Sequence, residues 1–295
     1  MSQSATPSSA APARFAGIWI PLVTPFNAGA VDHAALDALV RHYVKADVAG
    51  FVALGTTGEP ATLDDREQDA VLATVLAAAG DLPVVVGVSG NHTASVCERV
   101  AALNAQPVAG VLAAAPYYIR PSQAGVIGHF AAIADASRQP VIVYDIPART
   151  GVSIALPSLL ELAAHERIVA VKDCGGSLDK TLGLIADGRM DVLCGEDLEM
   201  FGALCAGASG AIAATAHLRP ERFVAMAQAL REGRLGDARA IWFTLVPLVR
   251  AAFAEPNPGP VKAALASIGL MRNELRAPMT CVSGELEETL ARLLA

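Results

Sequence analysis

The segment PVIVYDIPARTGVSIALPSLLELAAHERIVAVKD, residues 140–173, decides the fold. It holds two short β-branched runs, 140–144 and 168–172, on either side of a Leu/Ala stretch, 157–164, that opens on a proline and has helical period. Apolar runs this continuous read as strands buried on both faces, and the helix between them reads as the crossover of a parallel βαβ unit.

Outward from this unit the same alternation recurs. Runs 18–23, 50–54, 83–88, 110–114, 191–194 and 210–213 add six strands, separated by helical stretches 32–46, 64–79, 93–105, 121–137, 178–186 and 197–206. Several of these helices start on Asp, Thr or Pro, which suit a first turn. Eight βα units over roughly 200 residues are what a (β/α)8 TIM barrel of the α/β class requires. A doubly wound open sheet is the alternative, weakened because Thr24, Pro25 and Phe26 follow the first strand where that fold carries GxGxxG. From about His217 the pattern is helical throughout (219–232, 236–254, 258–268, 283–294), giving the last barrel helix and a C-terminal helical appendage. The expected organisation is a disordered Ser/Ala/Pro/Thr tail at 1–14, a barrel domain at 15–232 and a helical domain at 233–295.

The 295 residues are 53% hydrophobic and carry a net charge of -7, with no Lys/Arg-rich block. That supplies a large core and argues against nucleic acid or an anionic membrane as partner. No uninterrupted apolar stretch reaches the roughly 18 residues of a membrane span, and the N-terminus lacks the positive start and apolar region of a secretory signal, so a cytoplasmic protein is expected. Cys97, Cys174, Cys194, Cys205 and Cys281 form no CxxC pair, and the six histidines form neither HExxH nor HxH. Reduced thiols and no protein-built metal site follow; His92 and His217 read as loop residues.

Barrel chemistry gathers at the C-terminal strand ends. Lys172 ends an apolar strand, where an ammonium is out of place. Snorkelling to the rim or pairing with Asp173 would account for it; alternatively, desolvation pulls its pKa below about 10.4 and frees an amine that attacks a carbonyl to form a Schiff base. Gly55, Thr56, Thr57, Gly58 and Glu59 follow the second strand, either as a plain glycine turn or as a loop whose N–H groups and hydroxyls hold a small carboxylate. Tyr117 and Tyr118 follow the fourth strand and read as packing residues in their own right. Tyr144 ends the fifth, where a tyrosine can relay protons, and Arg149 follows, where a guanidinium can hold a carboxylate. Gly195, Glu196 and Asp197 follow the seventh.

The motifs GTTGE (55–59), PYYIRPS (116–122), YDIPARTG (144–151), VKDCGG (171–176) and EPNPGPVK (255–262) resemble, in order and spacing, the pyruvate-dependent Schiff-base family of dihydrodipicolinate synthase and N-acetylneuraminate lyase. The resemblance runs from Gly17 over nearly the whole chain. It implies that Lys172 forms an imine with pyruvate and that Tyr144, 28 residues before it, shuttles protons. By the same resemblance Thr56 links Tyr144 to Tyr118, which reaches across a subunit interface, Thr57 holds the pyruvate carboxylate, and Gly195 and Ile212 line the site through backbone atoms. Arg149 then binds the carboxylate of an aldehyde, aspartate semialdehyde, and the product belongs to lysine biosynthesis. No cofactor is implied, and the assembly implied is a homotetramer built from dimers.

The chain departs from the family pattern at Asp145, where Asn is usual, and at 173–176, where Asp, Cys, Gly and Gly replace Glu, Ala, Thr and Gly. These changes bear on the second substrate and keep a sibling aldolase, lyase or dehydratase for a sugar acid as a rival, against which Arg149 and the paired threonines stand. A non-catalytic paralogue is a further rival, opposed by the presence of Lys172, Tyr144 and Thr56. At the positions that bind inhibitory lysine in responsive relatives stand Asp65, Gln68 and Ser95, with Asn91 and Tyr117 retained, so weak or absent inhibition by lysine is expected.

Overall fold

The computed structural model describes residues 14–295, so the tail assigned to 1–14 lies, apart from Arg14, outside the described residues. Eight parallel strands close into a barrel: β1 (Gly17–Pro21), β2 (Gly50–Ala53), β3 (Val84–Val88), β4 (Gly110–Ala114), β5 (Val141–Asp145), β6 (Ile168–Asp173), β7 (Asp191–Cys194) and β8 (Gly210–Ile212). Each pairs with its neighbours in sequence, and β8 returns to β1 through Gly17 opposite Gly210. The closed sheet corrects the open-sheet alternative: with no free edge, every strand N–H and C=O has a partner beside it.

Alternation along the strands separates two cores. Val52, Val85, Leu112, Ile142, Ala170, Leu193 and Ile212 fill the barrel interior, while Phe51, Ala53, Val84, Val86, Val141, Val143 and Val171 face the helices. Phe15 and Trp19 join the inner group, with ring centroids 5.5 Å apart, and Phe15 N–H donates to Asp191 Oδ2 at 2.8 Å. Ile142 and Tyr144 share the inward parity, as do Ala170 and Lys172. The alternation that buries Ile142 and Ala170 therefore aims Tyr144 and Lys172 at the same interior, at its C-terminal mouth.

The outer layer comprises α1 (His33–Val44), α2 (Asp65–Ala79), α3 (Thr93–Leu103), α4 (Gln123–Ala136), α5 (Leu156–Leu162), α6 (Leu178–Asp187), α7 (Met200–Ala206) and α8 (Pro220–Arg231). Their starts follow local chemistry. Asp64 caps α2 by accepting from Glu67 N–H at 2.8 Å while Glu67 returns the bond, and Ser177 caps α6 through Lys180 N–H. The stretch read as one helix at 197–206 is a 3-10 turn, Asp197–Glu199, before α7, because Asp197 accepts from Thr215 instead of capping the helix. Three helices follow: α9 (Leu235–Ala252), α10 (Gly259–Ser267) and α11 (Gly284–Leu294).

His217 is not a loop residue. It sits in a buried turn with the ring edge-on to Tyr43 at 5.3 Å; its Nδ1–H donates to Ala214 O at 2.8 Å and its Nε2 accepts from Val23 N–H at 3.3 Å. Both ring nitrogens are satisfied only in the neutral form, and burial lowers the pKa to about 4. An unfolded histidine takes a proton at about pH 6.5, so the unfolded state binds more protons below that value. Stability should fall by about 3 kcal/mol as the pH drops from about 6.5 to 4. Urea unfolding across this range measures the slope, and His217→Gln should remove most of it.

Candidate active site

Lys172 and Tyr144 are directly paired in the β5–β6 register, and Lys172 Nζ lies 4.3 Å from the centroid of the Tyr144 ring. Both are buried, and Thr56 lines the same cavity. Burial raises the Tyr144 pKa, and the nearby Lys172 charge offsets only part of the rise. For Lys172, burial acts downward, as read from the strand end, but Tyr144, Cys174 and Asp197 act upward and the net direction is up. This differs from the expectation of a depressed pKa: Tyr144 and Cys174 act upward only once they ionise, and near neutral pH buried Asp197 is the acid that favours the cation. The resting pair is an ammonium beside a neutral phenol.

Around this pair a cavity of about 310 Å3 is lined by Thr56, Thr57, Tyr144, Arg149, Lys172, Gly195 and Ile212. Thr56 and Thr57 open a 3-10 turn, whose first N–H groups have no partner within the turn. Gly195 is required for space, since a Cβ there would lie 2.7 Å from Lys172 Cε and would also strike Cys174 Sγ. Arg149 sits in a helical turn, Pro147–Thr150, and also lines a neighbouring cavity of about 280 Å3 that shares Thr56 and Tyr144. The structure thus brings together seven of the eight residues singled out from the sequence.

Tyr118 is the exception. It is 88% exposed and lines neither cavity. Its φ of 71° and that of Arg120, 46°, are both left-handed; Tyr118 N–H donates to Thr150 O at 3.1 Å. The loop is therefore held in a costly conformation that presents the ring outward.

Sequence reading missed the supports. Asn257, in the EPNPGPVK motif, donates through Nδ2 to Thr57 Oγ1 at 3.0 Å and fixes that hydroxyl from 200 residues away. Lys262, in the same motif, is fully buried, pairs with Glu59, donates to Glu274 O at 2.9 Å and lies 4.2 Å over the Phe26 ring. The motif was visible, but its partners lie outside its own strand end. Cys174, whose thiol burial pushes up to about 12, is no nucleophile at neutral pH. Among the described residues no group of three or more His, Cys, Asp or Glu is placed to hold a metal ion, and no helix is long and apolar enough to cross a membrane.

Residues 14–295 match the model of the dihydrodipicolinate synthetase family. A 4-hydroxy-tetrahydrodipicolinate synthase from Hyphomonas neptunium is 40% identical over 93% of this chain and 95% of its own. Dihydrodipicolinate synthase from Thermotoga maritima superposes with a TM-score of 0.93 at 32% identity, covering 95% of this chain and 98% of that one. A structure described as a monomeric dihydrodipicolinate synthase variant superposes with a TM-score of 0.93 at 31% identity, covering 95% and 96%.

The departures at 145 and 173–175 form one compensated cluster. Asp145 is fully buried, accepts from Ile154 N–H at 3.1 Å and pairs with buried Lys180, which reaches back from α6. Gly175 leaves room for that lysine, since a Cβ would lie 2.7 Å from Lys180 Cε and 2.9 Å from Asp145 Oδ2. Asp173 accepts from Gly175 N–H at 2.9 Å and from the Thr181 hydroxyl at 2.6 Å. The negative charge read beside the site is thus neutralised from outside the barrel. Removing one partner strands a buried charge and should cost about 3–5 kcal/mol, whereas removing both should cost far less. Asp145→Asn and Lys180→Met should each lower stability by that order, and the double variant should recover most of it in denaturant unfolding.

Proposed function

The chain belongs to the dihydrodipicolinate synthetase family, and from that premise we propose that it condenses pyruvate with L-aspartate 4-semialdehyde to 4-hydroxy-tetrahydrodipicolinate, a step of lysine biosynthesis. The observation that carries this reading is the buried amine of Lys172 against the Tyr144 ring at a barrel mouth beside an anion-holding turn. The Lys172 nitrogen, once it has lost its extra proton, bonds to the keto carbon of pyruvate while the carbonyl oxygen takes a proton from Tyr144. Loss of water leaves an iminium, which draws electrons from the adjoining methyl and lets it give a proton to the tyrosine oxygen. The enamine carbon then bonds to the aldehyde carbon, whose oxygen takes up a proton. Attack of the substrate's own amine on the imine carbon closes the ring and releases Lys172. The iminium itself is the electron sink, so the chemistry calls for no metal or organic cofactor.

Thr57 and the turn N–H groups hold the pyruvate carboxylate, Arg149 holds that of the semialdehyde, and Gly195 and Ile212 shape the wall. Thr56 extends the relay from Tyr144 toward Tyr118 of a second copy. The outward ring of Tyr118 fits contact with a second copy, and the family resemblance supports a homotetramer built from dimers. The free thiols support a cytoplasmic location.

Incubation with pyruvate followed by borohydride should leave a reduced adduct on the peptide containing Lys172, read by mass spectrometry; an unmodified peptide sinks the mechanism. Because the resting amine is protonated, the rate of trapping should rise with pH between about 6 and 9. Arg149→Ala should still trap pyruvate while losing on the order of a hundredfold in kcat/KM for the semialdehyde.

Lysine offers a further test. Gln68 Nε2 donates to Pro60 O and Leu63 O, both at 3.3 Å, and the Ser95 hydroxyl bonds His92 Nδ1 at 2.7 Å, so both side chains are engaged within the chain. Turnover should be unaffected by lysine up to low millimolar concentration; inhibition in that range contradicts the reading.

A further inference from the structure

Five carboxylates stand near the C-terminal mouth of the barrel, and four are already engaged. Glu59 pairs with Lys262, Asp145 with Lys180, and Asp173 with Thr181 and Gly175 N–H. Asp197 is buried and accepts from both the N–H and the hydroxyl of Thr215, at 2.6 and 2.5 Å. Glu196 differs. It lines the 310 Å3 cavity with Lys172, Arg149 and Phe253, and among the described residues no cation lies within ion-pair distance of it. The Cys174 thiol, a weak donor, lies near it. Burial raises its pKa, with Asp197 and Glu199 adding to the rise, as suits a carboxylate short of positive charge.

The strand order sets where the charges stand. Arg149 follows β5, Lys172 ends β6 and Glu196 follows β7, so a cation and an unpaired anion flank the amine on opposite sides. A molecule that bonds to a pyruvate enamine on Lys172 meets both. We infer that Glu196 receives the ammonium of the second substrate while Arg149 receives its carboxylate, so that the site selects aldehydes bearing both groups. This rests on the synthase reading and adds the residue that sets its specificity. Lys172 feels the Glu196 charge as well, so the rival role, electrostatic support of the iminium, must be told apart by experiment.

The discriminating measurement compares the single-turnover rate constants at which the pyruvate-loaded enzyme condenses with aspartate semialdehyde and with succinate semialdehyde, which has the carboxylate and lacks the amine that later releases Lys172. Glu196→Gln should lower the first relative to the second by about thirtyfold or more, the scale of losing one partner of a charge pair in a partly buried site. Glu196→Asp, which keeps the charge, should restore part of the preference. Equal losses for the two aldehydes, or no loss for either, overturn the inference. Pyruvate trapping at Lys172 reports whether the glutamine variant is folded; if it forms no adduct, Glu196→Asp carries the comparison, with selective loss supporting and parallel loss overturning. A wild-type enzyme that traps pyruvate but uses neither aldehyde overturns the synthase reading and this inference together, whereas wild-type turnover with an unselective variant overturns the inference alone.

Discussion

The pairing of charge at the buried barrel mouth is the constraint on which the rest of the structure depends. The amine at the end of β6 is buried, and the same burial penalises every other charge nearby. The chain meets this at two of its carboxylates by tying each to a lysine of another segment. Glu59, after β2, is paired by Lys262 of α10, and Asp145, at the end of β5, is paired by Lys180 of α6. Each pair joins a mouth loop to an element outside the strand that carries it, so neutralising the charge also fixes the loop.

Within that frame the reactive geometry follows from alternation and register. Inward-facing Ile142 and Ala170 set the parity that brings Tyr144 and Lys172 side by side, and parallel pairing sets them level. Gly195 then lets the next loop lie over the amine without displacing it. Small residues and apolar packing thus position the acid and base groups.

Most of the fold was legible because strands buried on both faces are continuous apolar runs. The run expected at 168–172 is Ile168–Asp173 and that at 83–88 is Val84–Val88. Helix starts were legible where a side chain caps them, as at Asp64. The site was legible where a motif sits on its own strand end, which places Thr56, Tyr144, Arg149 and Lys172. What joins across the sequence was hidden: Asp145 and Lys180 are 35 residues apart, and Thr57 and Asn257 are 200 apart. The sign of the Lys172 shift was hidden for the same reason, because strand position reports burial but not which acids gather around the amine. His217 was misread because its burial comes from Tyr43 and Val23, both far away in the chain.

The tie from Asn257 to Thr57 and that from Lys262 to Glu59 carry a consequence for the order in which the protein matures. All eight strands precede both tethers, so on the ribosome the barrel can close while the anion-holding turn still lacks the groups that fix it. Those groups are made only after the last strand. A nascent barrel still lacking the last helices would thus be a scaffold without the two ties that fix its mouth.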